Sequence, residues 1–278
     1  MRWKQFFTPV DSIDVVQGRK LVADTPPGQI TILDVRQPKE YEDGHLPGAK
    51  LIPLPQLSDR VPELDPDQTI MTYCAVGGRS RVAAQMLSGK GFKKIYNLAG
   101  GIKAWNGETA FGNEDLGLEL FSGNESAEKT LTIAYSLEQG LRDFYLTMVD
   151  KVRNPAAGSL FKKLADIELL HQDQIFAEYL KTTTLALSQE EFESTIVSNV
   201  LEGGLTTEEY INLFHPDLES PTDIVAIAIS IEGQALDLYL RAAARTQEPA
   251  SNHFLNQLAV EEKNHLKALG ELMERFKD

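Results

Sequence analysis

The chain has 278 residues, 41 acidic and 27 basic side chains, a formal net charge of −14 and a single cysteine. Its length favours two domains, since single cores rarely grow much past about 250 residues, and its 42% hydrophobic and 24% charged content excludes both a disordered chain and a membrane-spanning one. One cysteine excludes an internal disulfide and any all-cysteine metal site, and so acidic a surface argues against nucleic acid as a partner.

The N-terminus, Met1-Arg2-Trp3-Lys4 followed by Gln5 and Asp11, lacks the apolar core of a secretory signal. The longest apolar stretch, 224–231, is far short of the roughly 18 to 20 residues of a spanning helix. A cytoplasmic protein with no membrane association is expected. The charge is unevenly placed, at +2 over residues 1–110 and −16 over residues 111–278. Composition changes at the same point, from short β-type runs with Pro and Gly to long stretches rich in Leu, Ala and Glu. Glycines at 107, 112, 117 and 123 punctuate the transition. The expected organisation is a domain over 1–108, a linker over 109–125 and a second domain over 126–278.

In the first domain, β-branched runs at 30–35, 69–74 and 94–98 alternate with helical segments, predicting a small α/β unit with a parallel sheet. The second run ends in Cys74-Ala75-Val76-Gly77-Gly78-Arg79-Ser80-Arg81, and a helical pattern follows. A loop between a strand end and a helix start turns backbone N–H groups inward, where they hold an anion or a thiolate. The helix dipole, with Arg79 and Arg81 nearby, favours the thiolate of Cys74, its reactive form. Gly77 and Gly78 allow the tight turn, while Asp34 and Arg36 are expected to brace the loop.

About the first 105 positions resemble the rhodanese family of sulfurtransferases. Four motifs occur in the family's order: Leu33-Asp34-Val35-Arg36; Glu40-Tyr41 with Gly44-His45-Leu46-Pro47-Gly48-Ala49; the Cys74 loop; and Leu98-Ala99-Gly100-Gly101-Ile102-Lys103-Ala104-Trp105. The resemblance implies that Cys74 takes a sulfane sulfur as a persulfide. It also implies that Ala75, Val76, Gly77, Gly78, Arg79 and Ser80 form the site for an anionic donor of the thiosulfate type, with cyanide, a thiol or a protein as acceptor. The loop from Cys74 to Arg79 has six residues, the length that suits sulfur transfer; phosphatase relatives use one residue more. His45 is expected to shape a turn.

In the second domain, helical patterns run over about 126–153, 155–184, 221–247 and 249–276. Asn154-Pro155 and Ser220-Pro221 read as an N-cap followed by Pro at the first helical position. The crossover at 185–220 carries two capping-box spacings, Ser188 with Glu191 and Thr206 with Glu209, and so two short helices. Two helix pairs joined by one long crossover describe a ferritin-like four-helix bundle.

Each helix places a glutamate in its inward apolar stripe: Glu138, Glu168, Glu232 and Glu262. Four buried carboxylates need a positive partner. Glu168 with His171, and Glu262 with His265, each project from one helical face toward a common point. Four carboxylates and two imidazoles suit two first-row metal ions, iron first and manganese next. An internal repeat with an offset of 94 carries Glu138 onto Glu232, Glu168 onto Glu262 and His171 onto His265. Tyr145 and Tyr239 fall on the same faces and read as core, Glu261 should face outward, and His215 and His253 read as surface.

Residues from about 126 onward resemble the rubrerythrin branch of ferritin-like diiron proteins. The resemblance implies that the six residues bind the metals and that the site reacts with peroxide or dioxygen. Ala235 stands where the family commonly has an extra ligand glutamate, and one cysteine cannot build the family's rubredoxin centre. An external electron donor is therefore required. The combined expectation is a sulfurtransferase joined to a diiron bundle, as a homodimer. Its rivals are a diiron peroxidase or oxidase with the first domain as accessory, and a non-catalytic metal-binding or dimerisation bundle.

Overall fold

A computed structural model describes residues 10–105, 107–183, 187–194, 196 and 206–276. Residues 1–9, which hold the N-terminal segment read above, Asn106, the end of the second helical pattern at 184, the parts of the expected crossover at 185–186, 195 and 197–205, and residues 277–278 lie outside the described residues. The chain divides into two compact units, Met1–Asp115 and Leu116–Asp278.

The first unit runs β1 (Asp11–Ile13), α1 (Val15–Asp24), β2 (Ile30–Asp34), α2 (Pro38–Glu42), β3 (Lys50–Leu51), α3 (Leu57–Arg60), β4 (Thr69–Tyr73), α4 (Gly78–Gly89), β5 (Ile95–Leu98) and α5 (Gly101–Ala104). Its five strands are all parallel, in the order β1-β5-β4-β2-β3. Such a sheet must be covered on both faces, and the strands alternate accordingly. Leu33 and Ile70 enter one core with Ala83, Ala84 and Leu87 of α4. Their neighbours Ile32 and Met71 enter the other, against Tyr41, Leu98 and Trp105. The chain leaves β2 outward to β3 and returns on the opposite side of β2 as β4, so strand order reverses there. The carboxyl ends of strands at such a reversal frame a crevice, and Cys74 immediately follows β4.

The second unit contains α6 (Ala127–Lys151), α7 (Pro155–Thr182), α8 (Gln189–Glu193), α9 (Thr207–Phe214), α10 (Pro221–Arg245) and α11 (Pro249–Arg275). The long helices pair as α6 with α7 and α10 with α11. Ser126, Asn154, Ser220 and Glu248 accept first-turn N–H groups of these four helices, and Pro opens three of them. Both capping boxes in the crossover form, at Ser188 and Thr206. The carboxylate of Glu219 accepts the N–H groups of Arg153 and Asn154 at 2.6–2.8 Å, tying the α6–α7 turn to the start of α10.

Residues 109–125, expected to be linker, are divided between the units. Ala110 forms a two-way backbone bridge with His45, and Gly112 N–H donates to Glu42. Leu118 and Phe121 instead enter the helical core, and Gly123 accepts from Gln247 N–H. Glycine marks tight turns in packed segments as readily as it marks linkers.

Gly101 shows how closely the loops meet. It has φ of +58°, and a Cβ there would stand 2.2 Å from the Cys74 carbonyl oxygen. Gly101→Ala should cost about 2 kcal/mol or more, lowering the urea midpoint of the first unit; a wild-type midpoint would refute this close approach.

Candidate functional site

Cys74 is buried at the mouth of the β4–α4 loop. Gly77, at φ of +93°, turns the chain so that its N–H donates to Cys74 Sγ at 3.1 Å. Ser80, fully buried in the first turn of α4, sets its hydroxyl 3.5 Å from the sulfur and 2.6 Å from Asn97 Oδ1. Behind the loop, the carbonyls of Cys74 and Ala75 accept from Ile102 and Lys103 N–H at 2.9 and 3.1 Å. The thiol lies below its ordinary pKa. Burial raises it, but the Ser80 hydroxyl and the N–H groups of Ser80, Val76 and Gly77 together outweigh burial by stabilising the thiolate. Val76 is 62% exposed, which leaves the loop open to solvent at its tip.

Both arginines also have protein partners. Arg79 forms a two-pronged ion pair with Glu40, both contacts at 2.7 Å, and Arg81 reaches Ser12 Oγ at 3.3 Å. Glu40 is held down at about 2, chiefly by Arg79. The Arg79 charge is stabilised first by Glu40 and then, more weakly, by Cys74. Gly78 opens α4. Asp34 and Arg36 form a buried pair at 2.6 Å; Arg36 also donates to the Gly44 carbonyl at 2.6 Å and lies over the Tyr73 ring. The pair thus braces the Gly44 turn and the residue ahead of Cys74. His45 is buried, stacked on Tyr41 with ring centroids 3.6 Å apart, as a turn-shaping residue should be.

Two residues escaped the sequence reading. Glu40 reads as part of a motif with no role of its own, and only the fold sets it opposite Arg79. Asn97 lies 17 positions beyond Ser80 on β5, and no local spacing links the two.

In the helical unit the six candidate ligands come together as two trios, Glu138–Glu168–His171 and Glu232–Glu262–His265, with the donor atoms of each within 4.8 Å of one another. His171 Nδ1 lies 2.9 Å from Glu168 Oε2 and 3.2 Å from Glu138 Oε2. His265 Nδ1 lies 3.3 Å from Glu262 Oε2 and 3.5 Å from Glu232 Oε2. The trios meet through the two imidazoles, stacked with centroids 4.0 Å apart and planes within 9°. All four carboxylates are buried.

The electrostatics match a cation site. Burial, reinforced by Glu232 and Glu138, pushes Glu168 up against the opposing pull of His171. His171 itself is pushed up to about 11: burial disfavours the charged ring, but Glu138 and Glu168 outweigh it. Glu232 Oε2 is buried with no close hydrogen bond among the described residues, only the 3.5 Å approach of His265 Nδ1, an under-satisfied state that a bound cation would relieve. Carboxylates and imidazoles grouped in this way are a donor set that suits first-row metal ions.

Of the residues nearby, Tyr145 and Tyr239 are fully buried in the core, and His215 and His253 are exposed. Ala235 is buried one turn beyond Glu232. Glu261, expected to face outward, is only partly exposed. Burial raises its carboxyl, and it feels the charges of His171, Glu138 and His265. Packing of neighbouring helices, invisible to a single helical wheel, turns this position toward the cluster. Among the described residues no helix is long and apolar enough to cross a membrane.

Comparison with known proteins finds a match for each unit. Residues 19–108 match the rhodanese-like domain and residues 129–273 match rubrerythrin. Two proteins of Bacillus subtilis (strain 168) are similar over the first unit. One, described as uncharacterized protein YqhL, is 47% identical over 77 residues, or 28% of this chain and 61% of that protein. The other, described as putative sulfur carrier protein YrkF, is 41% identical over 80 residues, or 29% of this chain and 43% of that protein. The chain thus spans less than two thirds of the length of either relative. A rhodanese-like domain protein from Staphylococcus aureus, known from its crystal structure, is 29% identical, with a TM-score of 0.33, and is covered over 92% of its length by 35% of this chain. The chain belongs to the rubrerythrin family and carries a rhodanese-like domain in its N-terminal unit.

Proposed function

We propose that the protein is a sulfurtransferase working through a Cys74 persulfide, joined to a bundle that holds two iron ions, with manganese as the next candidate. The observation that carries the first part is the Cys74 sulfur at a strand end, with its thiol pKa lowered by Ser80 and the loop N–H groups. The thiolate attacks the sulfane sulfur of a donor such as thiosulfate. A bond forms from Cys74 Sγ to that sulfur, the donor's S–S bond breaks, and sulfite leaves with the electron pair. Cyanide or a thiol then attacks the outer sulfur of the persulfide and Cys74 departs as thiolate, which the same N–H groups stabilise. Arg79 is placed to attract the anionic donor, in competition with Glu40.

For the bundle, the two buried trios support a metal centre held by Glu138, Glu168, His171, Glu232, Glu262 and His265. Bound iron would supply redox chemistry toward peroxide or dioxygen. The chain's own residues hold the ions, exclude bulk water and accept or release protons at the imidazoles and carboxylates. An external electron donor serves the centre, since the chain has one cysteine and that cysteine lies in the other unit. A homodimer in the cytoplasm is the setting we infer.

Cys74→Ala should abolish transfer of sulfur from thiosulfate to cyanide while leaving metal content unchanged, measured as thiocyanate formed and metal per chain. Persisting transfer in this variant would remove Cys74 from the reaction. Ser80→Ala should raise the Cys74 pKa and slow its alkylation by iodoacetamide near neutral pH. An unchanged pH–rate profile would mean that the Ser80 hydroxyl donates to Asn97 Oδ1 throughout and the N–H groups act alone. Metal binding should release protons. With His171 raised to about 11 in the metal-free protein, a metal taking its place at neutral pH displaces that proton, so affinity should rise with pH, by about tenfold per unit for each proton released. Calorimetry in buffers of different ionisation enthalpy reads the release directly, and a pH-independent affinity would contradict it.

A further inference from the structure

A pocket of about 210 Å³ opens between α7 and α11 of the helical unit. Its floor is Glu168, Glu232 and His265, so it reaches both trios at once. Its walls are apolar, from Leu164, Ile167, Leu269 and Leu272, and Lys163, Glu271 and Arg275 stand at its exposed mouth. The two imidazoles differ in the same sense: the side chain of His265 is 18% exposed and that of His171 is 8%. The internal repeat breaks at this point too. Ile167 corresponds to Glu261 at the common offset of 94, so the repeat-related face presents a carboxylate where the pocket presents an apolar side chain.

We propose that small uncharged molecules reach the carboxylate–histidine cluster through this pocket, on the His265 side. The proposal rests on the reading of the cluster as a metal centre and names its route of access and class of substrate. The volume accommodates several water-sized molecules, and so a species as small as hydrogen peroxide or dioxygen. An anion would shed its hydration against the apolar walls and then face Glu168 and Glu232, whereas an uncharged molecule meets neither cost. The mouth carries two cations, Lys163 and Arg275, against one carboxylate, Glu271, so an anion drawn there would still meet Glu168 and Glu232 further in.

Ala268→Trp places a large side chain at the pocket and leaves all six proposed ligands in the chain. In metal-free full-length protein, modification of His265 by diethylpyrocarbonate, mapped by mass spectrometry, should fall by at least about tenfold in this variant. In the metal-loaded, reduced protein, oxidation by hydrogen peroxide should slow by a similar factor while metal content stays at the wild-type level. Both rates within about twofold of wild type in a folded variant would overturn the proposal. Leu272→Phe, read by the same two measurements, serves if Ala268→Trp does not fold. Peroxide oxidation should also be insensitive to ionic strength, and a steep fall with salt would identify an anion drawn by Lys163 and Arg275 and overturn the uncharged assignment. A wild-type protein that binds no metal would defeat the underlying reading alone, because His265 labelling in metal-free protein still decides the access route.

Discussion

Four glutamates clustered with two imidazoles inside the four-helix core set the terms for the helical unit. Each would cost several kcal/mol if left charged and alone, so the bundle is stable only if something positive sits among them. In the metal-free chain that role falls to protons. His171 holds one strongly, and Glu168 is pushed toward its neutral form. Bound metal cations would neutralise the same charge without protons, so a site of this kind can exchange one for the other. The rest of the unit serves this arrangement. Capped helix starts, prolines at the first helical position and the Glu219 clamp fix where each helix begins, and hence which face carries each ligand.

The first unit solves a related problem with a different device. A thiolate also has to be stabilised away from bulk water, but here the donors are fixed backbone N–H groups and one hydroxyl. Fixed dipoles need no change of protonation as charge arrives on and leaves the sulfur. The parallel sheet makes this possible by collecting the strand ends at one edge, and Gly77 and Gly101 let the loops approach without side chains in the way. The Arg79–Glu40 pair shares the charge of the loop's guanidinium with a carboxylate.

Legibility differed between elements for physical reasons. The runs at 30–35 and 69–74 were long enough to show β-branched character, whereas β1 and β3, with three and two residues, are edge strands too short for any pattern. Capping boxes at Ser188 and Thr206 were readable because their hydrogen bonds close within four residues. The glycines at 107–123 were ambiguous, since a glycine reports a backbone requirement and not whether the segment is packed. Glu261 shares the helix of Glu262 but turns inward because of what the other helices leave uncovered.

Everything governed by local spacing was therefore determined by the sequence itself: the strand–Cys74–helix order, the paired Glu and His three residues apart, and the repeat relating them at an offset of 94. The tertiary structure decided what depends on distance through space. It set Glu40 on Arg79, brought Asn97 to Ser80, stacked His171 on His265 and opened the cluster on the Ile167 face. Helical and strand periodicities fix which residues share a face, but only packing fixes which faces meet.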